Sequence, residues 1–169
     1  EYWMLAIDVD EGDPSLTELR TAVDRVTGNA SSLFYSSAGA TEDNRKWRAL
    51  IPLSEPISGE DYVDAQLSLF ELLAAEGITA DPVLSRTGQP IYLPNVPPAK
   101  RDDAGHPLFY HGARNRGDGL MVPKESTIWA NLIFRRKNAE IAEQRAAAER
   151  QIRAQQREEK QNKFGESDP

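Results

Sequence analysis

Asp8 and Asp10 stand two residues apart at the end of a short apolar run, Trp3-Met4-Leu5-Ala6-Ile7-Asp8-Val9. On a β-strand, side chains two apart share a face, so both carboxylates project together from the strand end. Carboxylates this close repel, and a hard divalent cation such as Mg²⁺ or Mn²⁺ relieves the repulsion. Such a pair suits two-metal phosphoryl chemistry, in which metal ions activate the attacking oxygen and neutralise the leaving phosphates. The plainer alternative is an acidic strand-to-helix turn, with Asp13 as a cap and the other acids in water. The spacing alone leaves both open. An EF-hand does not fit, because Gly12 comes one place early and the twelfth position holds no Glu.

Asp81, in Ala80-Asp81-Pro82, is the third carboxylate of interest. If the sheet brings it beside Asp8 and Asp10 the three make a metal triad; otherwise it is a turn residue before proline. The densest basic cluster of the body is Asn44-Arg45-Lys46-Trp47-Arg48. On a strand Lys46 and Arg48 share a face, and with Arg86 they could hold a triphosphate, since guanidinium forks match phosphate oxygens. Ser36 and Ser37, followed by Ala38-Gly39-Ala40, could let backbone amides approach a phosphate. Arg45, and Arg114 and Arg116 in Arg114-Asn115-Arg116-Gly117, are candidates for contact with nucleic acid. Each of these basic residues has an ordinary alternative as surface charge. His106 and His111 lie in a stretch rich in proline and glycine, where a histidine is commonly structural. No GxxxxGK[ST], GxSxG or HExxH string is present.

The elements that must position these residues can be read from periodicity. The run at 3–9 predicts a buried strand. Asp13-Pro14, or alternatively Ser15 with Glu18 at capping-box spacing, opens a helix through Leu16, Leu19, Val23 and Val26 that stops at Gly28. Ser32–Ser37 and Trp47–Leu53 predict a strand hairpin. Ser58 opens a second helix with Tyr62, Leu67, Phe70, Leu72 and Leu73 on its apolar face, closed by Gly77. Asp81–Leu84 and Pro90–Leu93 predict two short strands around the turn 85–89. Residues 94–123 predict an irregular surface excursion. Residues 127 to about 162, without proline or glycine, predict a long helix that is apolar only at its start. The order predicts an α+β fold (an α/β sandwich): a mostly antiparallel or mixed sheet with helices packed on it, plus the long C-terminal helix. The domain reading is a catalytic domain over 1–125, a charged helix or linker over 126–163, and a disordered tail over 164–169.

Composition narrows the classes. The 169 residues include no cysteine, which excludes a disulfide framework, a cysteine-ligated zinc site and a cysteine nucleophile. Two histidines are too few for a His-rich metal centre. No apolar run is long enough for a membrane span, and the absence of a leader predicts a cytoplasmic setting. The first residue, Glu1, suggests a piece of something longer. The net charge of -7 is unevenly placed: residues 135–163 carry nine Lys/Arg against five Asp/Glu, while the body is acidic. Contact with a phosphate backbone therefore requires local basic patches.

Ile7-Asp8-Val9-Asp10, Tyr35-Ser36-Ser37, Arg45-Lys46-Trp47-Arg48-Ala49-Leu50-Ile51-Pro52-Leu53, Asp81, and Arg86-Thr87-Gly88-Gln89-Pro90-Ile91-Tyr92-Leu93-Pro94-Asn95 together resemble a known pattern. It is that of the primase-polymerase domains of the archaeo-eukaryotic primase superfamily, carried by phages, prophages and plasmids. The resemblance runs over residues 3–98. It implies an RRM-like catalytic sheet, with Asp8, Asp10 and Asp81 binding Mg²⁺ or Mn²⁺. It also implies a DNA template and an NTP or dNTP as partners, and a helicase domain on the same full-length chain. The family's second motif usually ends in a histidine that contacts the nucleotide's phosphates. Here Ser36–Ala40 has none, so Arg48 or a histidine from 106–111 would take its place. The expected function is metal-dependent primer synthesis or DNA polymerisation in replication of a mobile element. The alternatives are a primase-like module that binds nucleic acid or a partner without catalysis, and a metal-dependent nuclease.

Overall fold

The computed structural model describes residues 1–165, with the side chains of the last helix described through residue 157. Strand β1 (Tyr2–Val9) leads into helix α1 (Leu16–Thr27), followed by β2 (Ser32–Ser36) and β3 (Trp47–Ile57). Helix α2 (Gly59–Ala75), the short strand β4 (Gly112–Asn115) and helix α3 (Thr127–Gly165) complete the regular elements. The four strands form an antiparallel sheet in the order β1-β3-β2-β4. The fold is α+β, as the sequence predicts.

Local signals set the helix ends. Ser15, not Asp13, caps α1: its hydroxyl accepts from the Glu18 amide, and Glu18 reaches back to the Ser15 N–H. Gly28 closes that helix at φ 66°, the left-handed conformation that glycine adopts without penalty. Ser58 caps α2: its hydroxyl accepts from the Asp61 amide and donates to the Asp61 carboxylate.

The strand register sorts the sheet into two faces. Leu5, Ile7 and Val9 lie opposite Ile51, Ala49 and Trp47, and Phe34 lies opposite Ala49. All are almost fully buried, and they form one core with Leu19, Val23, Leu69 and Leu73 of the two helices. The other face carries Met4, Ala6 and Asp8 opposite Pro52, Leu50 and Arg48, with Leu33 and Tyr35 across from Leu50 and Arg48. Most of the chemistry predicted from sequence lies on this second face.

Strand β1 is an edge, and an exposed edge leaves backbone groups unpaired. A buried glutamine of α2 closes it. Ala6 N–H donates to Gln66 Oε1 at 3.1 Å, and Gln66 Nε2 donates to Ala6 O at 2.8 Å. The predicted strand 81–84 does not form. Pro82–Ser85 is a 3₁₀ turn instead, with Asp81 as its N-cap. Pro82 lacks the N–H that a strand ladder needs, and the Asp81 carboxylate accepts from Val83 N–H at 2.9 Å, which favours a turn. The turn still lies along β1, because Asp81 N–H donates to Asp8 O at 2.8 Å. The predicted strand 90–93 is likewise irregular, in a stretch flanked by Pro90 and Pro94. Conversely, β4 forms inside the stretch predicted to be irregular: Gly112–Asn115 pairs with β2.

The chain divides into two units, residues 1–132 and 133–169. The division falls within α3, seven residues beyond the boundary expected at 125, because Ile128 and Leu132 are only 1% exposed and belong to the core. In the second unit the helix is dense in charge, with an i,i+4 pair between Glu149 and Arg153. Of the expected disordered tail at 164–169, the first two residues end α3 and the other four lie outside the described residues. Among the described residues no helix is long and apolar enough to cross a membrane.

Candidate active site

Asp8 sits near the end of β1, directly opposite Arg48 of β3, and the two form an ion pair, Nε to Oδ2, at 3.0 Å. Asp10, two residues on, meets Lys46 Nζ at 3.4 Å. Asp81 is held beside them by its backbone bond to Asp8. The fold therefore brings Asp8, Asp10, Lys46 and Arg48 together at one end of the sheet, with Asp81 beside them at the β1 edge.

Asp8 is 9% exposed, and its Oδ1 has no hydrogen-bond partner among the described residues. Burial pushes its carboxyl above the ordinary value of 3.8, against the lowering effect of Arg48; the charges of Asp10 and Asp81 push it further up. A buried carboxylate oxygen without a donor is costly unless something positive reaches it. Asp81 is less free, since its carboxylate is committed to capping the 3₁₀ turn. Among the described residues no three His, Cys, Asp or Glu side chains form a cluster able to hold a metal ion. The orphaned oxygen of Asp8, with Asp10 beside it, is the feature that fits a divalent cation.

A cleft of about 390 Å³ opens from Arg48 along Tyr35, Ser36, Ser37 and Gly39 to Tyr92 and Asn95. The segment after the 3₁₀ turn forms its outer wall. Tyr35 OH donates to Tyr92 O at 2.7 Å, and Arg48 lies 5.8 Å from the centre of the Tyr92 ring. Burial raises the Tyr35 hydroxyl above its ordinary range, so it remains a donor at neutral pH. Ser37 belongs to a tight turn in which Ala40 N–H donates to Ser37 O. The Ser36 hydroxyl is already engaged, accepting from His111 N–H at 3.1 Å.

The other predicted residues are more scattered. Arg86 is exposed and lines neither this cleft nor the smaller one at Asp10, Glu11 and Asp81. Arg45 is taken by Asp13: its Nε and Nη2 both donate to that carboxylate, at 3.0 and 2.9 Å. Those bonds hold the Asp13 carboxyl at about 2. Arg114 and Arg116 are exposed at β4 and just past it, without an ion pair among the described residues. Neither histidine reaches the Arg48 cleft. His111 pairs with Ser36 through the backbone, and its ring lies 6.3 Å from Trp47 and 4.9 Å from Phe109, on the side of the sheet opposite Arg48. His106 pairs with Asp102 in an exposed turn.

Three residues position the site in ways the sequence did not indicate, though Tyr62 stood on the predicted apolar face and Tyr92 within the motif string. Gln66 and Tyr62 both donate to Leu84 O, at 3.2 and 3.0 Å, which fixes the 3₁₀ turn and hence Asp81 against β1. Tyr92 covers Arg48. A signal existed for Gln66: it is the one polar residue in the stripe Tyr62, Gln66, Leu69, Leu73, whose 4-3-4 spacing marks a buried helix face.

Comparisons with family models, curated proteins and solved structures return no match for this chain.

Proposed function

We propose that the chain is a metal-dependent nucleotidyltransferase domain that adds nucleotides to a 3′ hydroxyl on a DNA template. The observation that carries this reading is the buried, unpartnered Oδ1 of Asp8, set beside Asp10 and joined by its ion pair to Arg48, the charged residue of the neighbouring cleft. Asp8 and Asp10 would hold Mg²⁺ or Mn²⁺, which supplies activation of the attacking oxygen and charge neutralisation at the phosphates when bound. Asp81 adds a third negative charge at the same point. Arg48 and Lys46 offer the phosphate-binding cations, while Tyr35 ties the Tyr92 segment to the cleft through its hydroxyl. Gln66, Tyr62 and the 3₁₀ turn keep the acids in register with β3.

A second reading, a primase-like module that binds nucleic acid without catalysis, has one observation in its favour. Both acids are already paired with cations, Arg48 of β3 and Lys46 just before it, and no histidine lines the cleft.

The test is nucleotide incorporation on a labelled primer–template, and separately on an unprimed template, with Mg²⁺ or Mn²⁺. Wild type should lengthen the primer, and Asp8→Ala/Asp10→Ala should not. Salt-sensitive DNA binding without incorporation would establish the second reading, and metal-dependent shortening of the labelled strand would mean a nuclease.

A further inference from the structure

An open groove of about 360 Å³ crosses the second face of the sheet, away from the acids. Met4 of β1, Leu33 of β2, and Leu50 and Pro52 of β3 line it, with Leu120 beside them and Arg114 of β4 as its charged residue. Strand pairing explains the floor: Met4 lies opposite Pro52, and Leu33 opposite both Leu50 and Arg114, so these side chains share one face. Met4, Leu33 and Leu120 are 43%, 38% and 54% exposed. Single exposed apolar residues are ordinary on a protein surface, but a contiguous set drawn from several strands and a loop marks a docking site.

The loop that brings Leu120 to the groove is fastened on both sides. Gly119 O accepts from Ser31 N–H at 2.7 Å, Met121 N–H donates to Pro52 O at 3.1 Å, and Ser54 N–H donates to Met121 O at 2.9 Å. Met121 is 4% exposed, so the loop sinks one side chain into the core and leaves its neighbour Leu120 at the groove. A wall already in place lowers the ordering cost of binding.

Charge selects the occupant. Residues 1–134 carry twenty Asp/Glu against eleven Lys/Arg, yet no carboxylate lines the groove, and Arg114 forms no ion pair among the described residues. Arg116, also exposed, follows two residues on. A second copy packed face to face would bring two Arg114 guanidinium groups onto one groove with no anion between them. A single strand of nucleic acid is held by bases stacked on aromatic side chains, and none lines this groove. Aliphatic side chains next to a carboxylate match both the floor and the cation.

We propose that this groove docks a partner protein through a short acidic segment. Its apolar side chains seat on Met4, Leu33 and Leu120, and one of its carboxylates pairs with Arg114. The groove shares no residue with the Arg48 cleft, and Met4 stands roughly 13 Å along the strand from Asp8, so docking leaves the candidate active site open. Docking there does not depend on the nucleotidyltransferase reading.

The test begins with random peptides displayed on phage, selected on the full chain and depleted on Arg114→Glu. The survivors should share aliphatic or Phe residues beside Asp or Glu. A labelled synthetic survivor, followed by fluorescence anisotropy, should lose at least about tenfold in affinity on Arg114→Gln and on Leu120→Asp. Both side chains are exposed, so neither substitution opens the core. A version of the peptide with Lys in place of its acids should bind Arg114→Glu more tightly than wild type, a gain that an unfolded variant would not show. No peptide surviving the depletion, survivors without an acid, or an affinity indifferent to Leu120→Asp would overturn the proposal. So would a labelled single-stranded oligonucleotide whose binding falls on Leu120→Asp, which makes the groove a nucleic-acid surface. A dimer in sedimentation that Leu120→Asp dissociates would overturn it too, because the occupant is then a second copy.

Discussion

Replacing Gln66 with leucine tests how the site is held in place. Gln66 is fully buried in α2 and makes three hydrogen bonds, two to Ala6 and one to Leu84. Leucine is close to it in size, so the core stays filled. Leu84 O keeps the Tyr62 hydroxyl at 3.0 Å, whereas Ala6 N–H and Ala6 O lose their outward partner. A buried polar group left unsatisfied costs about 1–3 kcal/mol, and the leucine recovers part of that as apolar burial. The expected net loss is roughly 2–5 kcal/mol. With a urea m-value of about 2 kcal/mol/M for a small domain, the unfolding midpoint should fall by about 1–2.5 M. Urea unfolding followed by tryptophan fluorescence measures that shift, and hydrogen exchange locates it: the Ala6 amide should lose protection selectively. Gln66→Glu separates hydrogen bonding from packing, since it can still accept from Ala6 N–H but no longer donates to Ala6 O or Leu84 O. A midpoint change below about 0.3 M for Gln66→Leu would refute the claim that this side chain closes the β1 edge.

Gly117→Ala should destabilise the body strongly, because an added Cβ would lie 2.0 Å from Asn29 O at a φ of +48°; thermal melting should show a drop of many degrees or an insoluble product. Asp8 and Asp13 should give opposite pH signatures in urea midpoints. The Asp13 carboxyl is lowered from 3.8 to about 2, so its contribution is present above 3.8 and disappears as pH falls through about 2; the deficit of Asp13→Asn should vanish over that window. The Asp8 carboxyl is raised above 3.8, so its contribution is present below 3.8 and is lost as pH rises through the raised value. Asp8→Asn should therefore gain on wild type as pH climbs through that range. Tyr35→Phe removes the bond to Tyr92 O and should speed proteolysis or amide exchange at residues 90–95 while leaving the global stability within about 1 kcal/mol of wild type.

Periodicity made much of this architecture legible. The apolar run at 3–9, the capping box at Ser15 and Glu18, and the hairpin at 32–53 each fixed an element from local chemistry alone. Strand alternation put Asp8 with Asp10 and Lys46 with Arg48, each pair on one face, but it is the pairing of β1 with β3 that makes the two faces the same. The segment after α2 was harder. Asp81-Pro82-Val83-Leu84 is as apolar as a strand, but its missing N–H and its capping carboxylate decide for a turn, and a polar side chain from α2 does the work of the absent strand. Strand β4 gave little warning: Gly112–Asn115 is too short and polar to show alternation, and its pairing with β2 depends on a contact some eighty residues away in sequence. The ion pairs that occupy Asp8 and Asp10 were also hidden, because the sequence shows which residues share a face but not which of them touch.

The account rests on a divalent cation sitting between Asp8 and Asp10, and iron-directed cleavage tests that most directly. Fe²⁺ replaces Mg²⁺ in oxygen-ligand sites, and with ascorbate and peroxide it cuts the backbone nearest to it. The experiment uses the full chain with ATP present. Fragment masses should place the cuts at residues 8–11 and 79–82, and both should be suppressed by excess Mn²⁺ and be absent from Asp8→Ala/Asp10→Ala. Cleavage elsewhere, at the exposed Asp102–His106 turn for instance, or cuts that survive the double substitution, would contradict the metal site and the nucleotidyl-transfer reading built on it.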